Sequence, residues 1–289
     1  MATQNELIVR GRHDERRERA RRRRIKRKRA IWLLIVLAIS HILAGIVGAK
    51  LGSGPCYQSG YQDGYQAGYR ARQDEEAEEE ALVSELYGVD ISSYNEDFIK
   101  VIDSERARDF VICRATSGYE VDKTCDRAYQ YAKSQGKLLG VYFWGDSTEL
   151  NPRKYAAFCV GTVQGYISEA MFVLDFESPS GEALDPEWAK EWMEEFEALT
   201  GVKPLIYMNS YVARELDWSS VVAGGYRLWV ASYGKDDGAN HGLPDGVGQW
   251  SGQLAMHQYT TYGLGARESL DLDVFFGSRA DWLKLITQS

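Results

Sequence analysis

From Tyr87 to the C-terminus, short β-branched or aromatic runs alternate with longer amphipathic stretches, and this alternation constrains the fold more than any other feature of the chain. The strand-like runs are 87–92, 110–116, 138–144, 170–177, 203–209, 228–233, 254–260 and 270–275. Apolar residues at helical spacing separate the early ones, over 122–136, 152–165 and 185–199. Asp185 and Pro186 open the last of these with a side-chain cap and a proline at the first helical position, where the missing N–H would have had no partner anyway. Strand, helix and strand in succession imply parallel strands, because the crossover returns the chain to the same end of the sheet. Residues 87–289 therefore predict an irregular, TIM-like β/α barrel of about eight strands, with helices mainly after the first five.

Such barrels place their chemistry at the C-terminal ends of the strands. Asp90 ends the first run, Asp175 and Glu177 end the fourth, and Asp271 and Asp273 lie in the last. Residues i and i+2 of a strand share a face, so Asp175 and Glu177 point together into the barrel mouth while Phe176 packs behind them. Acids that close raise one another's pKa, which leaves a proton donor beside carboxylate partners near neutral pH. Glycoside hydrolysis needs this pairing: an acid for the leaving oxygen and an anion for the positive sugar ring. The competing reading is that the acids cap loops or pair with Arg114 or Arg267. Arg114 is also a candidate substrate contact.

Aromatic residues extend the carbohydrate reading. Tyr142, Trp144, Tyr207, Trp229, Tyr233 and Tyr259 all fall at or near the ends of strand-like runs. Sugar rings stack their C–H faces on such side chains, whose O–H and N–H groups bond the polar edges. Singly, each is as readily a core residue; six at one rim predict a lined groove.

At these residues the chain resembles glycoside hydrolase family 25, the lysozymes of phage endolysins and bacterial autolysins. The matching pieces, in family order, are Gly88-Val89-Asp90-Ile91-Ser92-Ser93-Tyr94-Asn95, Gly140-Val141-Tyr142-Phe143-Trp144, Leu174-Asp175-Phe176-Glu177, Ile206-Tyr207, Leu228-Trp229-Val230-Ala231-Ser232-Tyr233, Gln258-Tyr259-Thr260 and Leu270-Asp271-Leu272-Asp273-Val274-Phe275. The resemblance implies cleavage of the β-1,4 bond from N-acetylmuramic acid to N-acetylglucosamine in peptidoglycan, with no metal and no organic cofactor. It makes Glu177 the general acid. Asp175 would assist by orienting the substrate's acetamido group as internal nucleophile, and Asp90 and Asp271 would complete the acidic cleft. Three positions depart from the family pattern: Ser117 stands where Glu is usual, His257 where Trp often precedes the Gln-Tyr pair, and Asp273 where Asn is common. His257 reads as structural rather than as a second base.

The N-terminal region differs in kind. Residues 1–30 hold 13 Lys and Arg against four acids, a net +9, whereas the remainder carries 21 basic and 38 acidic groups, a net −17. A basic run alone suits nucleic acid. Here it is followed by Ile31–Ala49, 19 residues without an acid, Lys or Arg, close to the ~20 residues that cross a bilayer core. Basic residues beside a span stay cytoplasmic, so the expectation is a basic cytoplasmic arm (1–30) and a membrane helix in contact with lipid (31–50). A Gly/Tyr-rich and acidic stalk (51–86) and an extracellular glycosidase-like domain (87–289) would follow. Nucleic acid is not an expected partner. The rival is a cleavable signal ending at Val47-Gly48-Ala49, which would release a secreted protein.

Within the stalk, Tyr57, Tyr61, Tyr65 and Tyr69 recur every four residues, with Gly60, Gly64 and Gly68 just before three of them. On a helix this is a small-residue stripe able to bring two copies together; otherwise it is a flexible polar linker, since each Gly costs a helix about 1 kcal/mol. The acidic run 74–80 reads as a solvated spacer. Wholly helical, residues 52–86 would reach about 50 Å at ~1.5 Å each.

Four cysteines, Cys56, Cys113, Cys125 and Cys159, match no zinc spacing. Cys113 reads as a buried hydrophobe. Cys125 and Cys159, in consecutive helices, are a candidate disulfide on an oxidising side of the membrane. Three functions remain in view: an active membrane-tethered muramidase, a catalytically weak wall-binding module anchoring an envelope assembly, and a glycosidase for another acetamido-sugar polymer. Concentrated buried negative charge favours an enzyme over a binder.

Overall fold

Alternation along the strands decides which side chains enter the barrel and which face outward. In the computed structural model, which describes residues 66–68, 85–95, 97–145, 151–177, 184–243, 246–263 and 269–287, the strands are β1 (Leu86–Ile91), β2 (Phe110–Ser117), β3 (Glu120–Val121), β4 (Leu138–Gly145), β5 (Ala170–Phe176), β6 (Leu205–Asn209), β7 (Arg227–Ala231), β8 (Leu254–Thr260) and β9 (Asp271–Phe275). The chain divides into two compact units, Met1–Glu75 and Glu76–Ser289; the strands all belong to the second. Eight of them close a barrel in the order β1-β2-β4-β5-β6-β7-β8-β9, and β3 is a short hairpin added to the end of β2.

From β1 through β8 the barrel neighbours run parallel, but β9 runs antiparallel to both β8 and β1. This corrects the all-parallel expectation. No helix lies among the described residues between β8 and β9 to carry the chain back to the bottom, so the last strand starts at the top and descends. The substantial crossover helices are α2 (Cys125–Ser134), α3 (Pro152–Val163) and α4 (Pro186–Thr200), after the short α1 (Phe98–Ile102). Asp185 caps α4 by accepting from the Glu187 N–H at 3.0 Å, with Pro186 in its first turn. Between β6 and β7 the described residues hold the short α5 (Ser210–Glu215) and α6 (Ser219–Ala223), and a 3-10 turn follows β7.

Two apolar layers result. Outward residues such as Val89, Val111, Val141, Phe172 and Ile206 pack with Trp188, Trp192 and Phe196 of α4 in one cluster. Inward residues Phe110, Ile112, Met171, Val173, Leu205 and Phe275 form a second cluster that fills the barrel floor. The C-terminal helix α7 (Arg279–Ile286), opened by a Ser278–Asp281 capping box, brings Trp282 against Phe110 and Phe275 at centroid distances of 4.8 and 5.3 Å. Each fully buried aromatic of this kind stabilises the fold by about 2–3 kcal/mol.

Cys113, Cys125 and Cys159 are free and buried, so the expected Cys125–Cys159 bridge is not formed. Cys159 instead lies beside the Thr116 hydroxyl at 3.8 Å, while Cys125 lines a small void with Cys113. Among the described residues no helix is long and apolar enough to cross a membrane. The expected arm and span over 1–50, Gly60 and Gly64, Cys56, the acidic run 74–80 and Arg267 lie outside the described residues; Gly68 ends the described turn 66–68.

Candidate active site

At the top of the barrel the inward positions change from apolar to acidic. A cavity of about 230 Å3 opens there, walled by Asp90 and Ser92 from β1 and its end, Arg114 from β2, Tyr142 and Trp144 from β4, and Asp175 and Glu177 from β5 and its end. Tyr207, Trp229, Gln258 and Asp271 complete the ring from β6, β7, β8 and β9, and Tyr94 stands at the rim. The four acids expected to meet, Asp90, Asp175, Glu177 and Asp271, therefore line one cavity. Asp271 reaches it for a reason the strand-end rule did not contain. It begins its strand, and because β9 descends, that beginning lies level with Asp90, its register partner on β1.

Five carboxyl groups crowd this end of the barrel, since Asp273 lies one inward step below Asp271 and is fully buried. Burial pushes the Asp90 carboxyl up to about 6, against hydrogen bonds from Gln258 and Asp273 that pull it down. Asp271 rises to about 8 through burial and then the charges of Asp90, Glu177 and Asp236. Asp175 is driven well above the carboxylate range by burial, then by Glu177 and Asp90; Arg114 opposes the shift and Asp271 adds to it. Burial and the Asp90 charge raise Glu177 as well. The physical cause is common to all: carboxylates withdrawn from water beside one another cannot all ionise.

Arg114 is the one cation on the cavity wall among the described residues. Its Nε donates to Asp122 at 3.0 Å, its Nη2 donates to the Ser93 hydroxyl at 2.9 Å, and its guanidinium lies 4.9 Å from the Tyr94 ring centroid. A register shift between Arg114 and Thr116 turns Thr116 outward to the Tyr155 hydroxyl, as bulges near active sites often re-aim a side chain. Burial alone would raise Asp122, but the Thr124 and Ser93 N–H groups and Arg114 hold it below its ordinary value. That ion pair leaves little of the Arg114 charge to neutralise the five acids.

A hydrogen-bonded chain fixes the opposite wall. The Gln258 amide donates to Asp90 Oδ2 at 2.7 Å, and its oxygen accepts from the Tyr207 and Tyr233 hydroxyls at 2.8 and 2.7 Å. The Trp229 indole N–H donates to Asp273 Oδ1 at 2.9 Å. Among the described residues two buried carboxyl oxygens have no donor: Asp175 Oδ1 and Asp273 Oδ2.

The expected aromatics divide. Trp144 is partly exposed on the wall and offers a ring face. Tyr142, Tyr207 and Trp229 line the cavity but are at least nine-tenths buried, and the Trp229 N–H is already committed. Tyr233, expected on the wall, is not part of the cavity lining; its hydroxyl donates to the Gln258 oxygen behind it. Tyr259 does not belong to it, which corrects the expectation. Gln258 points inward, so its neighbour points outward, and Tyr259 packs edge-on to Tyr87 in the outer layer at 6.5 Å. His257 also faces away, with Nε2 against the Ser232 carbonyl at 2.7 Å. Gln258 as a site residue and a role for Asp273, recognised only as an acid of the last strand, were overlooked, as were Asp122 and Tyr94. The first two lay in plain view in the strand pattern as inward partners of recognised acids. Among the described residues no group of His, Cys, Asp and Glu is arranged to hold a metal ion.

Comparison with known proteins places this architecture. The muramidase from Trichobolus zukalii is 21% identical over 70% of this chain and 98% of its own, with a TM-score of 0.55. A family GH25 lysozyme from Aspergillus fumigatus is 21% identical over 70% and 99%, with a TM-score of 0.54. A family 25 glycosyl hydrolase from Bacillus anthracis is 20% identical over 70% and 94%, with a TM-score of 0.54. At these identities the likeness establishes a shared fold. No curated protein matches the chain. The family model for glycosyl hydrolases family 25 matches residues 89–265, more than half of the sequence, from within β1 to beyond β8. On that match the chain belongs to glycoside hydrolase family 25.

Proposed function

We propose that the protein is a peptidoglycan muramidase, hydrolysing the β-1,4 bond between N-acetylmuramic acid and N-acetylglucosamine. The observation that carries this reading is the unpartnered Asp175 Oδ1, buried beside Glu177 in an acidic cavity. A buried acceptor without a donor costs about 1–3 kcal/mol, and the acetamido N–H of an N-acetyl sugar supplies the missing donor. Its arrival favours the Asp175 anion, so the proton held by the coupled pair passes to Glu177. Glu177 is the less enclosed of the two and stands at the end of β5, where it can protonate the leaving oxygen. The acetamido oxygen, polarised by Asp175, then attacks the anomeric carbon as the bond to the leaving sugar breaks, and water reopens the resulting ring. Asp90, ionised above about pH 6, faces the developing positive charge. Trp144 offers a stacking face for one sugar ring.

The test uses the full-length protein. It is incubated with purified peptidoglycan, the new ends are reduced, and the sugar alcohol is identified. Muramitol is the expected product. Glucosaminitol would mean the other bond is cut, and an absence of new ends would leave a wall-binding module. The fold is shared with a muramidase from Trichobolus zukalii, a family GH25 lysozyme from Aspergillus fumigatus and a lysozyme from Streptomyces coelicolor, which supports the substrate class.

We further propose that residues 31–50 anchor the enzyme as a single span, with the basic arm inside and the barrel outside, so that wall near the membrane is its substrate. The 19 residues without an acid, Lys or Arg after a run of Lys and Arg support this reading. Retention in the membrane fraction after a high-salt wash is expected; release by salt would reduce the arm to a surface adsorbent.

A further inference from the structure

Asp273 takes no direct part in the scheme above, yet it is the most enclosed acid of the site. Its exposure is 0%, one oxygen accepts from the Trp229 indole, and the other is buried without a donor. The antiparallel register of β9 against β1 sets Asp273 opposite Gly88 and one inward step below the Asp90–Asp271 pair. A Cβ on residue 88 would overlap the Phe110 carbonyl and ring, so nothing on β1 separates Asp273 from Asp90. Two carboxyl groups in contact inside a protein are tolerable when one carries a proton and donates it to the other.

We propose that Asp273 is a neutral carboxylic acid whose Oδ2 proton is donated to the Asp90 carboxylate, making it the positioning residue that keeps Asp90 ionised and aimed into the cleft. The inference rests on the glycosidase reading for its consequence but not for its chemistry. The proton gives the orphaned oxygen its missing partner. Asp90 then receives two donors, the Gln258 amide at 2.7 Å and the Asp273 hydroxyl, from adjacent strands. The electrostatic setting agrees. Asp273 is raised well above the carboxylate range by burial, then by Asp90 and Asp271, with the Trp229 bond opposing. Apart from the Trp229 N–H, the groups around the pair do not favour a second anion. Gln258 on β8 and Trp229 on β7 are neutral, Asp271 on β9 and Asp175 and Glu177 at β5 are acidic, and Tyr142 and Tyr207 are buried phenols. The cation on β2, Arg114, is held by Asp122.

Two substitutions separate a proton donor from a charge. In Asp273→Asn the amide donates to Asp90 as the acid does, so activity on peptidoglycan stays within about threefold of wild type and the acid limb of kcat/KM stays in place. In Asp273→Leu the donor is gone, Asp90 holds its proton more tightly, and the acid limb moves up by about one pH unit, which lowers kcat/KM at pH 6 by about fivefold. Infrared difference spectra of full-length wild type against Asp273→Asn at pH 7 report the group directly, through the C=O stretch of a protonated carboxyl lost in the variant. Asp273→Asn losing as much activity as Asp273→Leu, or a wild-type spectrum without that band, overturns the proposal. If wild type releases no new ends from peptidoglycan, the proposed substrate fails while the infrared band still decides the state of Asp273.

Discussion

The barrel has two unlike arcs. Along β2, β4, β5 and β6 the strands rise in parallel, all three crossovers between them carry full helices, and the functional groups sit at strand ends. Along β8, β9 and β1 the chain reverses once, and the functional groups sit in register pairs across antiparallel strands. The first arc presents Asp175 and Glu177 with few hydrogen bonds, as groups whose protons can move. The second arc presents Asp90, Gln258 and Asp273 tied to one another and to Trp229, Tyr207 and Tyr233. One arc supplies reacting groups and the other a braced anion. Substitutions on the first should therefore abolish chemistry while sparing the fold, and those on the second should disturb geometry, stability and pH dependence together.

The largest effect is expected on the rising arc. Glu177→Gln removes the proton donor with almost no change of shape, and loss of a general acid costs about 10²–10⁴-fold in rate. Release of reducing ends should fall by that factor while sedimentation with the wall persists. Full activity in the variant would remove Glu177 from the role of donor.

Gln258→Leu probes the braced arc. It strips a donor from Asp90 and an acceptor from two tyrosine hydroxyls at once, and each buried polar group left unpaired costs about 1–3 kcal/mol. A fall in kcat of about 10–10²-fold together with a clear drop in Tm is expected. A drop in activity with unchanged Tm would mean that Gln258 touches substrate rather than bracing Asp90.

The same contrast governs what could be read before the fold was known. The rising arc was legible because its rule is local: an apolar run ends in acids, i and i+2 share a face, and Asp175 and Glu177 follow. The closing arc depends on strand direction and pairing, and Gln258 meets Asp90 across 168 positions of sequence. Alternating strand and helix predicted parallel neighbours throughout, and nothing in residues 254–275 announces that β9 descends. Asp271 was placed at the rim by a rule that does not apply to a descending strand; the reversal makes the placement right for a different reason. Tyr259 is the opposite case, since the two-residue period was available and puts it behind Gln258.

Asp271 tests the electrostatic side of the braced arc through stability. Its carboxyl titrates near 8 in the fold against an ordinary 3.8. Between those values the folded chain keeps a proton that the unfolded chain has released. Stability is therefore lost as pH rises through that window, and the whole penalty is present above it. Asp271→Asn removes the penalty. At ~1.4 kcal/mol per pH unit between 3.8 and about 8, it should stabilise the protein by about 5 kcal/mol at pH 8 and leave stability little changed near pH 4. Thermal unfolding of both proteins across that range checks the sign; equal stabilisation at both ends would mean that packing, not charge, is responsible.

The smallest effects come from two aromatics that the sequence alone treats alike. Trp144 stands on the rising arc at the end of β4, partly exposed on the cavity wall, its backbone carbonyl accepting from the Gly118 N–H at 2.9 Å and the Tyr155 hydroxyl at 2.5 Å. Its ring is free to stack on a sugar, so Trp144→Ala should raise KM by about tenfold, the equivalent of ~1.4 kcal/mol of lost binding, with kcat little altered. Tyr259 stands on β8 with its ring turned outward against Tyr87. Tyr259→Phe keeps that packing and removes a hydroxyl that never meets the cavity, so both kcat and KM should stay within about twofold. Steady-state kinetics on soluble wall fragments measures the pair side by side. A tyrosine variant as impaired as the tryptophan one would mean that the two-residue alternation of β8 breaks down when substrate binds.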